Sequence, residues 1–253
     1  MWKVRETQPR IGLRKLYYLL GSQLGELHIG RDKLNTILKA NNLLVKPLKT
    51  YHKTTNSHHR FHRHKNLIEG KVAQRPEEIW VSDITYLGNR ESPLYLALVT
   101  DAYSKKIVGY DVSESLSSQG ALRALKMAIK TRQSSNNLIH HSDRGLQYCC
   151  DAYQQLLEKN KITPSMTESY DPYADAIAER VNGILKQDFL LERYKTNREG
   201  MKHLVKEIIH IYNTQRPHLS NGMKTPEWMH NQQGHPIRTY RRKTPCKLQL
   251  AGC

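Results

Sequence analysis

The chain has 253 residues, of which 38% are hydrophobic, and it carries a formal net charge of +17. The absence of any run of about 18 apolar residues excludes a transmembrane helix, and the first residues lack the apolar segment of a secretory signal. Two adjacent cysteines and two in the C-terminal tail form neither a disulfide framework nor a zinc pattern, so we expect a reducing cytoplasm.

The charge is unevenly distributed along the chain. Residues 1–75 contain 16 Lys and Arg against 4 Asp and Glu, residues 76–178 contain 10 against 13, and residues 179–253 contain 14 against 6. Two basic flanks around an acid-rich middle favour a polyanionic partner, because lysine and arginine neutralise phosphates and release their counterions. The alternative is a basic protein whose charge serves only solubility. That alternative does not explain why positive charge is concentrated in the first 75 residues.

Residues 1–48 predict a small helical region. Apolar residues recur near helical spacing in residues 10–22 and again in residues 31–44. Gly21 and Gly25 are expected to end the first helix. Two short amphipathic helices joined by a glycine-containing turn are typical of a helix-turn-helix DNA-binding region, and helical hairpins without DNA contacts share the pattern.

Residues 49–75 lose this periodicity and predict a basic linker, with five histidines between His52 and His64. A zinc site is the alternative, but no cysteine accompanies these histidines and their spacing does not define a tetrahedral site. We therefore expect a solvated linker in which Arg60 and Arg63 contact phosphates.

Residues 76–232 have the pattern of a mixed α/β domain. Three consecutive strands, followed by alternating helices and strands, predict a five-stranded mixed sheet with helices on both faces. The predicted elements are strands at 79–88, 93–104 and 105–113, a helix at 118–131, a strand at 136–143, a helix at 146–160, a strand at 162–167, and helices at 174–190 and 198–213. Residues 233–253 predict a basic tail, for which phosphate contact and disorder without DNA both stay open.

Three carboxylates are the candidate catalytic residues. Asp83 lies in the first predicted strand, Asp143 ends the fourth, and Glu179 lies in the first turns of the helix after the fifth. Singly, each has an ordinary interpretation, as a half-exposed strand residue, a turn residue or helix N-cap, and an exposed helix residue. If the first and fourth strands are neighbours, two of these carboxylates meet at one edge and the helix can bring the third.

The order Asp, Asp, Glu, with 35 residues between the last two, is the spacing of the retroviral-integrase superfamily. The segments WVSDITYL, HHSDRGLQY and AIAERVNGILKQDFL, together with YNTQRPH and the Thr-Pro pair after it, closely resemble second-frame transposases of bacterial two-frame insertion sequences. The basic helix pair at 10–44 also resembles the one that precedes the catalytic core in that group. The resemblance spans nearly the whole chain.

This resemblance implies a ribonuclease-H-like core and a transposase that cleaves DNA and transfers the strands. It implies two Mg²⁺ or Mn²⁺ ions per active site, with Asp83 shared by both and with Asp143 and Glu179 each completing one site. The implied partners are double-stranded DNA at the element ends and target, further copies of the chain on DNA, and an upstream-frame protein or fusion, with no membrane. The implied location is the bacterial cytoplasm, on the nucleoid when DNA is bound.

Two residues depart from the pattern of that group. Ala174 and Asp175 stand where it commonly has Glu-Asn. Asp175 lies one helical turn before Glu179, so it can reach the same metal region or repel its neighbour. Two alternatives therefore stay open: a catalytically inactive helix-turn-helix DNA-binding relic, and a ribonuclease for hybrid duplexes, which predicts a different acidic set and no basic helix pair.

Further DNA contacts are expected around the carboxylates and on the basic helices, with solvated surface charges as the equal alternative. The candidates are Arg31, Lys33, Lys39, Arg60, Arg63, Arg144, Gln147, Arg180 and Lys186. We expect His140 and His141 to pack or to form hydrogen bonds within the strand, because metal-bound water needs no histidine as a general base.

Overall fold

The computed structural model describes residues 1–46, 64–88, 93–167 and 174–232. Most of the predicted linker, including Arg60 and Arg63, and the predicted tail at 233–253 lie outside the described residues. Within the described ranges, none of the helices combines the length and the apolar content needed to cross a bilayer.

The elements follow closely the order expected from the sequence. In chain order they are α1 Trp2–Thr7, α2 Leu13–Leu19, α3 Gly21–Glu26, α4 Arg31–Ala40, β1 Ile79–Gly88, β2 Pro93–Asp101, β3 Ile107–Ser113, α5 Ser118–Thr131, β4 Leu138–Ser142, α6 Leu146–Cys149, α7 Asp151–Lys159, β5 Ile162–Met166, α8 Ala174–Gly183, α9 Arg198–Thr214 and α10 Pro226–His230. A π-helical turn at Ile184–Asp188 continues α8, and a 3₁₀ turn follows at Leu191–Arg193.

The five strands form one sheet in the order β3-β2-β1-β4-β5. β1 pairs antiparallel with β2, and β2 with β3, whereas β1 and β4 run parallel, as do β4 and β5. This arrangement confirms the predicted five-stranded mixed sheet. It also confirms that the first and fourth strands are neighbours, with β1 at the centre.

Alternating side chains of β1 separate the apolar cores on the two faces of the sheet. Trp80 and Ile84 pack with the helices α5 to α7 on one face. Val81 and Leu87 lie in clusters that include residues of α8 to α10. Each of these side chains is at least 90% buried, and full burial of such a side chain contributes roughly 1.5–3 kcal/mol.

The N-terminal helices differ from the prediction at two glycines. The first helix ends at Leu19, and Gly21 and Gly25 both lie within α3 instead of ending a helix. Leu24 of α3 is buried in a small core with residues of α2 and α4. Each glycine in a helix costs about 1 kcal/mol relative to alanine, and the burial of this leucine offsets that cost.

Two of the predicted core helices are interrupted. The helix expected at 146–160 is divided into α6 and α7, because Cys150 has an extended backbone with φ −68° and ψ 147°. The helix expected at 174–190 loses regular α-helical geometry after Gly183 and continues as the π-helical turn.

Helix α10 was not predicted, although its start has a recognisable signal. The hydroxyl oxygen of Thr225 accepts a hydrogen bond from the Trp228 backbone N–H at 3.2 Å, and Pro226 occupies the first helical position. Threonine at the N-cap followed by proline is a typical helix start. A helix of five residues has too little apolar periodicity to stand out in the sequence.

The described end of the predicted linker packs against the sheet. Ile68 and Ala73 are fully buried, and the backbone N–H of Leu67 donates to Ser165 Oγ of β5 at 2.9 Å. The packed part of the chain therefore extends upstream of residue 76.

The N-terminal helices contact the core at the end of the π-helical turn. The backbone N–H of Arg10 donates to the Asp188 carbonyl oxygen at 3.1 Å, and the Asp188 carboxylate forms an ion pair with the buried Arg216. Lys15 of α2 is buried at this junction. Burial, together with the charge of Arg216, lowers the pKa of Lys15 to about 7, although Asp188 opposes the shift.

A buried ionic cluster anchors α10 to the sheet. His230 Nδ1 lies 3.1 Å from Ser104 Oγ and 3.7 Å from Asp101 Oδ1, and its Nε2 lies 3.8 Å from Glu77 Oε1. Burial alone would lower the pKa of His230, but its interactions with the Asp101 and Glu77 carboxylates raise it to about 9. The same contacts lower the pKa values of both carboxylates against the opposing effect of burial. The cluster is therefore an imidazolium between two carboxylates at neutral pH.

We expect His230→Gln to lower the free energy of unfolding by about 3 kcal/mol at pH 6, because it leaves two buried carboxylates without their cation. The raised pKa of His230 means that its contribution is complete below about pH 6.5 and is lost as the pH rises through about 9. Urea denaturation of both proteins at pH 6 and pH 9.5 measures this, and the difference between them should shrink at pH 9.5. A difference that is independent of pH would contradict the ionic cluster.

Candidate active site

The parallel pairing of β1 and β4 sets Asp83 beside Asp143. Ser82 and Ser142 are partners in the register, and each aspartate is the next residue along its strand. Because side chains alternate between the faces of a sheet, both aspartates lie on the face opposite Trp80. Both are half-buried. The structure thus brings together two of the three predicted carboxylates.

The Asp83 carboxylate is held by two donors. Its Oδ1 accepts from the Ile84 backbone N–H at 2.8 Å, and its Oδ2 accepts from the Asn182 side-chain amide at 2.7 Å. Asn182 belongs to α8 and is 6% exposed, and its Oδ1 has no hydrogen-bond partner among the described residues. The sequence analysis missed Asn182, although it lies three residues after Glu179 and hence on the same side of a helix.

The Asp143 carboxylate is held by the turn after β4. Its Oδ1 accepts from the Gly145 backbone N–H at 3.0 Å. Gly145 has φ −68° and ψ 147°, which any residue adopts, so a side chain here would act by displacing the neighbouring side chains. A Cβ atom would lie 2.9 Å from Asp143 Oδ1 and 2.8 Å from Gln147 Oε1. The next residue after Asp143, Arg144, is half-buried.

Glu179 is exposed on α8, one helical turn before Asn182. Over the ranges that the structure describes, no group of three or more His, Cys, Asp or Glu side chains is positioned to hold a metal ion. Side chains three apart on a helix have Cβ atoms about 5–6 Å apart. Glu179 therefore lies one helical turn from Asn182, the residue that binds Asp83, but its side chain does not form a metal-binding group with the two aspartates.

Both histidines of β4 are structural. The Ser82 and Tyr153 hydroxyls lie 2.7 and 2.9 Å from His140 Nε2, and burial lowers the pKa of His140 to about 3. The ring nitrogens of His141 lie 2.9 Å from Ser165 Oγ and 3.1 Å from Thr167 Oγ1. Both side chains are engaged inside the protein, as expected from the sequence.

Tyr148 of α6 is buried in the aromatic cluster on the Trp80 face of the sheet. Its ring packs against His140 and Tyr153, and the residue is 3% exposed. Burial raises the pKa of its hydroxyl well above the ordinary value, and the Asp143 and Asp83 carboxylates raise it further. This hydroxyl has no hydrogen-bond partner among the described residues, and such burial costs about 1–3 kcal/mol.

The predicted DNA-contact residues of the core differ in the exposure of their side chains and in the contacts that these side chains make. Lys186 Nζ lies 3.1 Å from Glu192 Oε1, and its side chain is only 13% exposed. The amide of Gln147 donates to the Leu116 carbonyl oxygen at 2.8 Å. Arg180, by contrast, is exposed on α8.

The predicted contacts of the N-terminal region lie on α4. Lys33 and Lys39 are exposed, and Arg31 is exposed and paired with Asp32 at 3.0 Å. These three cations are solvent-exposed on one short helix.

Two family matches cover the described core. Residues 73–172 match a family described as "Integrase core domain", and residues 160–226 match a second family of the same description. Asp83 and Asp143 lie in the first match, and Glu179 lies in the second.

Curated relatives include three insertion-sequence proteins. The "Insertion element IS600 uncharacterized 31 kDa protein" of Shigella sonnei is 34% identical over 87% of this chain and 81% of its own length. The "Transposase for insertion sequence element IS629" of Shigella sonnei is 34% identical over 57% of this chain. "Transposase InsF for insertion sequence IS3A" of Escherichia coli K12 is 36% identical over 66% of this chain. The matches span about half the length of these two transposases, 49% and 58%.

Solved structures with a similar fold are viral integrases. The HTLV-2 integrase catalytic core domain in complex with magnesium matches with a TM-score of 0.50 and 19% identity, over 62% of this chain and 97% of that domain. The intasome of simian T-cell lymphotropic virus in complex with PP2A regulatory subunit B56 gamma matches with a TM-score of 0.54 and 19% identity, over 88% of this chain and 78% of the viral one. The predicted ribonuclease-H-like fold is therefore confirmed.

We expect Asn182→Ala to lower the free energy of unfolding by about 2 kcal/mol, because it removes a hydrogen bond to a charged group. Asn182→Asp should cost more at pH 7, since it sets a second carboxylate against Asp83, and the excess should vanish near pH 4 when one of the two is protonated. Urea denaturation of both variants at the two pH values measures this. Equal losses for the two variants at pH 7 would contradict the Asp83 contact.

Proposed function

Because the chain belongs to the insertion-sequence transposases that contain an integrase core domain, which are DDE-type polynucleotidyl transferases, we propose that Asp83, Asp143 and Glu179 form its active site for cleaving and joining DNA. The register of β1 and β4 carries this assignment. It sets two carboxylates from distant parts of the chain side by side, and α8 adds Glu179 one helical turn from the Asp83 contact.

The donor set fits a hard divalent cation. Two neighbouring carboxylates repel each other without a counterion, and carboxylate oxygens are the ligands that Mg²⁺ and Mn²⁺ prefer. Asn182 Oδ1, which has no hydrogen-bond partner among the described residues, adds a neutral oxygen beside Asp83. We propose two ions per site, shared by Asp83 and completed by Asp143 and by Glu179. When bound, such ions activate the attacking oxygen and neutralise charge on the leaving oxygen.

The neighbouring residues orient the carboxylates. The Gly145 N–H fixes one oxygen of Asp143, and the Asn182 amide fixes one oxygen of Asp83. No described histidine of β4 is available as a base, because His140 and His141 are both engaged in the core. The attacking groups in this proposal are water for cleavage and a DNA 3′-hydroxyl for strand transfer.

The N-terminal region, residues 1–48, supplies a surface for double-stranded DNA in this proposal. Residues 1–46 contain nine Lys and Arg against three Asp and Glu, and α4 exposes Lys33 and Lys39. Chemistry on two element ends and a target requires more than one copy of the core, so we place a homo-oligomer on DNA. An upstream-frame protein or fusion completes the proposed assembly.

Asp143→Asn should abolish the proposed chemistry while it preserves the fold. We expect Mg²⁺-dependent nicking of DNA that carries the element ends to fall by roughly 10³-fold or more, because a metal-ligating carboxylate is lost. Asp151→Asn, at an exposed position in the first turn of α7, is the matched control and should nick at the wild-type rate. A gel assay of supercoiled DNA with Mg²⁺, Mn²⁺ or EDTA measures both variants.

Two outcomes of this assay would change the assignment. Equal nicking by Asp143→Asn and the wild-type protein would contradict the catalytic role of Asp143. A wild-type protein that binds the element ends but never nicks them would favour the catalytically inactive DNA-binding alternative.

Lys33→Gln and Lys39→Gln should weaken DNA binding by the same factor for every sequence, because phosphate contacts carry no base information. Each lost contact is expected to reduce the slope of log K against log salt by about 0.9. Fluorescence anisotropy over a range of salt concentrations measures the slope. Lys126→Gln, an exposed charge change on α5, is the control, and an equal effect of all three would mean that α4 is not the contact surface.

A further inference from the structure

An open cleft lies where the N-terminal helices face the loop between α9 and α10. Its volume is about 520 Å³, which is within the range of small-ligand sites and more than a single ion needs. None of the lining residues belongs to the sheet or to α8, so the cleft is separate from the candidate active site. The lining residues are Arg14, Tyr17 and Tyr18 of α2, Gly21 of α3, Arg31 and Asp32 of α4, and Met223.

The polar side chains of α2 in this cleft are available to a ligand. Arg14 and Tyr18 are exposed, and neither forms a hydrogen bond, an ion pair or a ring contact within the described ranges. Arg31 is already paired with Asp32 at 3.0 Å. The cleft therefore holds one positive charge in excess, on the Arg14 guanidinium, beside an aromatic ring without a stacking partner.

The core side of the cleft is a firmly anchored loop. Met223 has φ 69°, a left-handed backbone conformation that a bulky side chain rarely adopts, and Gly222 before it has φ 62°. The Met223 backbone N–H donates to the His218 carbonyl oxygen at 2.8 Å. Asn221 is fully buried, and its side-chain amide donates to the Ser104 carbonyl oxygen at 2.7 Å. The surrounding contacts therefore hold Met223 at the cleft wall against its own backbone preference, which is a feature typical of ligand-binding segments.

The chemistry of the lining groups matches that of a nucleotide. A guanidinium binds phosphate oxygens through paired donors. Tyrosine rings stack on nucleobases of any sequence, because every base has a flat aromatic face. Methionine is polarisable and adaptable, and it packs favourably against aromatic rings. A whole duplex does not enter a cleft of this volume, so the part of DNA that fits is a nucleotide without a pairing partner.

We propose that this cleft binds one unpaired nucleotide of a DNA strand, with its base against Tyr18 and Met223 and its phosphate on Arg14. The inference rests on the proposed DNA-binding role of the N-terminal region and extends it, because Lys33 and Lys39 are assigned only to the phosphates of a duplex. The occupant would contact both the N-terminal helices and the core, since the cleft takes residues from each.

The test measures the Kd of the full chain, by fluorescence anisotropy, for three labelled DNAs that share one duplex sequence. The first is blunt, the second has a short single-stranded extension of deoxyadenosines, and the third has the same extension with abasic sites. We expect the wild-type protein to bind the second about 10-fold more tightly than the third, because the two differ only in the bases that can stack. Deoxyadenosine monophosphate should compete only at concentrations far above this Kd.

Single substitutions separate the base contact from the phosphate contact. Tyr18→Ala should remove the preference for the extension with bases, and Tyr18→Phe should keep it, because stacking needs only the ring. Arg14→Gln should weaken binding of both extended DNAs and spare the blunt one, because both extensions carry phosphates. Tyr194→Ala is the matched control, since Tyr194 and Tyr18 are 46% and 47% exposed, and it should keep the preference. Thermal melts of all variants should show an unchanged Tm, since each altered side chain is largely exposed.

Several results would overturn the proposal without affecting the proposed function. They are equal binding of all three DNAs by the wild-type protein, equal binding of the two extensions, or a full preference in Tyr18→Ala. Competition by deoxyadenosine monophosphate at the Kd of the extended DNA would instead assign the cleft to a free nucleotide. If the wild-type protein binds none of the three DNAs, the proposed DNA-binding role of the N-terminal region fails and the cleft assignment fails with it.

Discussion

The parallel register between β1 and β4 is the constraint on which the candidate site depends. Ser82 opposite Ser142 places the following aspartates side by side on one face. A slip of one residue would send one carboxylate to the opposite face of the sheet, because side chains alternate. The slip is opposed by burial, since Trp80 and Val81 fill apolar cores on opposite faces just before Asp83. The hydrophobic pattern of β1 therefore positions the two aspartates as well as the core.

The site concentrates charge that the rest of the domain neutralises. Elsewhere, buried carboxylates such as Asp101 have a cation and several donors. At the candidate site, two aspartates lie on neighbouring strands, while Asn182 Oδ1 and the Tyr148 hydroxyl are buried and have no hydrogen-bond partner among the described residues. Polar groups without partners are costly in an ordinary core. At a site for a cation they are favourable, because they already face the charge and need no rearrangement. Local stability is lower here than packing alone would give.

Much of the architecture could be predicted because the strands of the core are buried, apolar and bounded by turn residues. The aspartates could be found because each lies in or at the end of a predicted strand and because the spacing of the three acidic residues resembles that of a known family. Asn182 and Tyr148 could not, since an amide on a helix and an aromatic residue in a short helix have no periodic signature. Gly21 and Gly25 misled the prediction, because the burial of Leu24 outweighs their low helix propensity. Tertiary packing therefore determines these features, which the local sequence pattern does not predict.

The N-terminal helices and α8 meet at the π-helical turn. The turn that ends at Asp188 continues α8, the helix of Glu179 and Asn182, and it also receives the backbone N–H of Arg10. A displacement of the N-terminal helices would therefore be transmitted through this turn to α8. The position of the N-terminal helices can thereby change the orientation of Glu179, while the strand register that places the two aspartates stays the same.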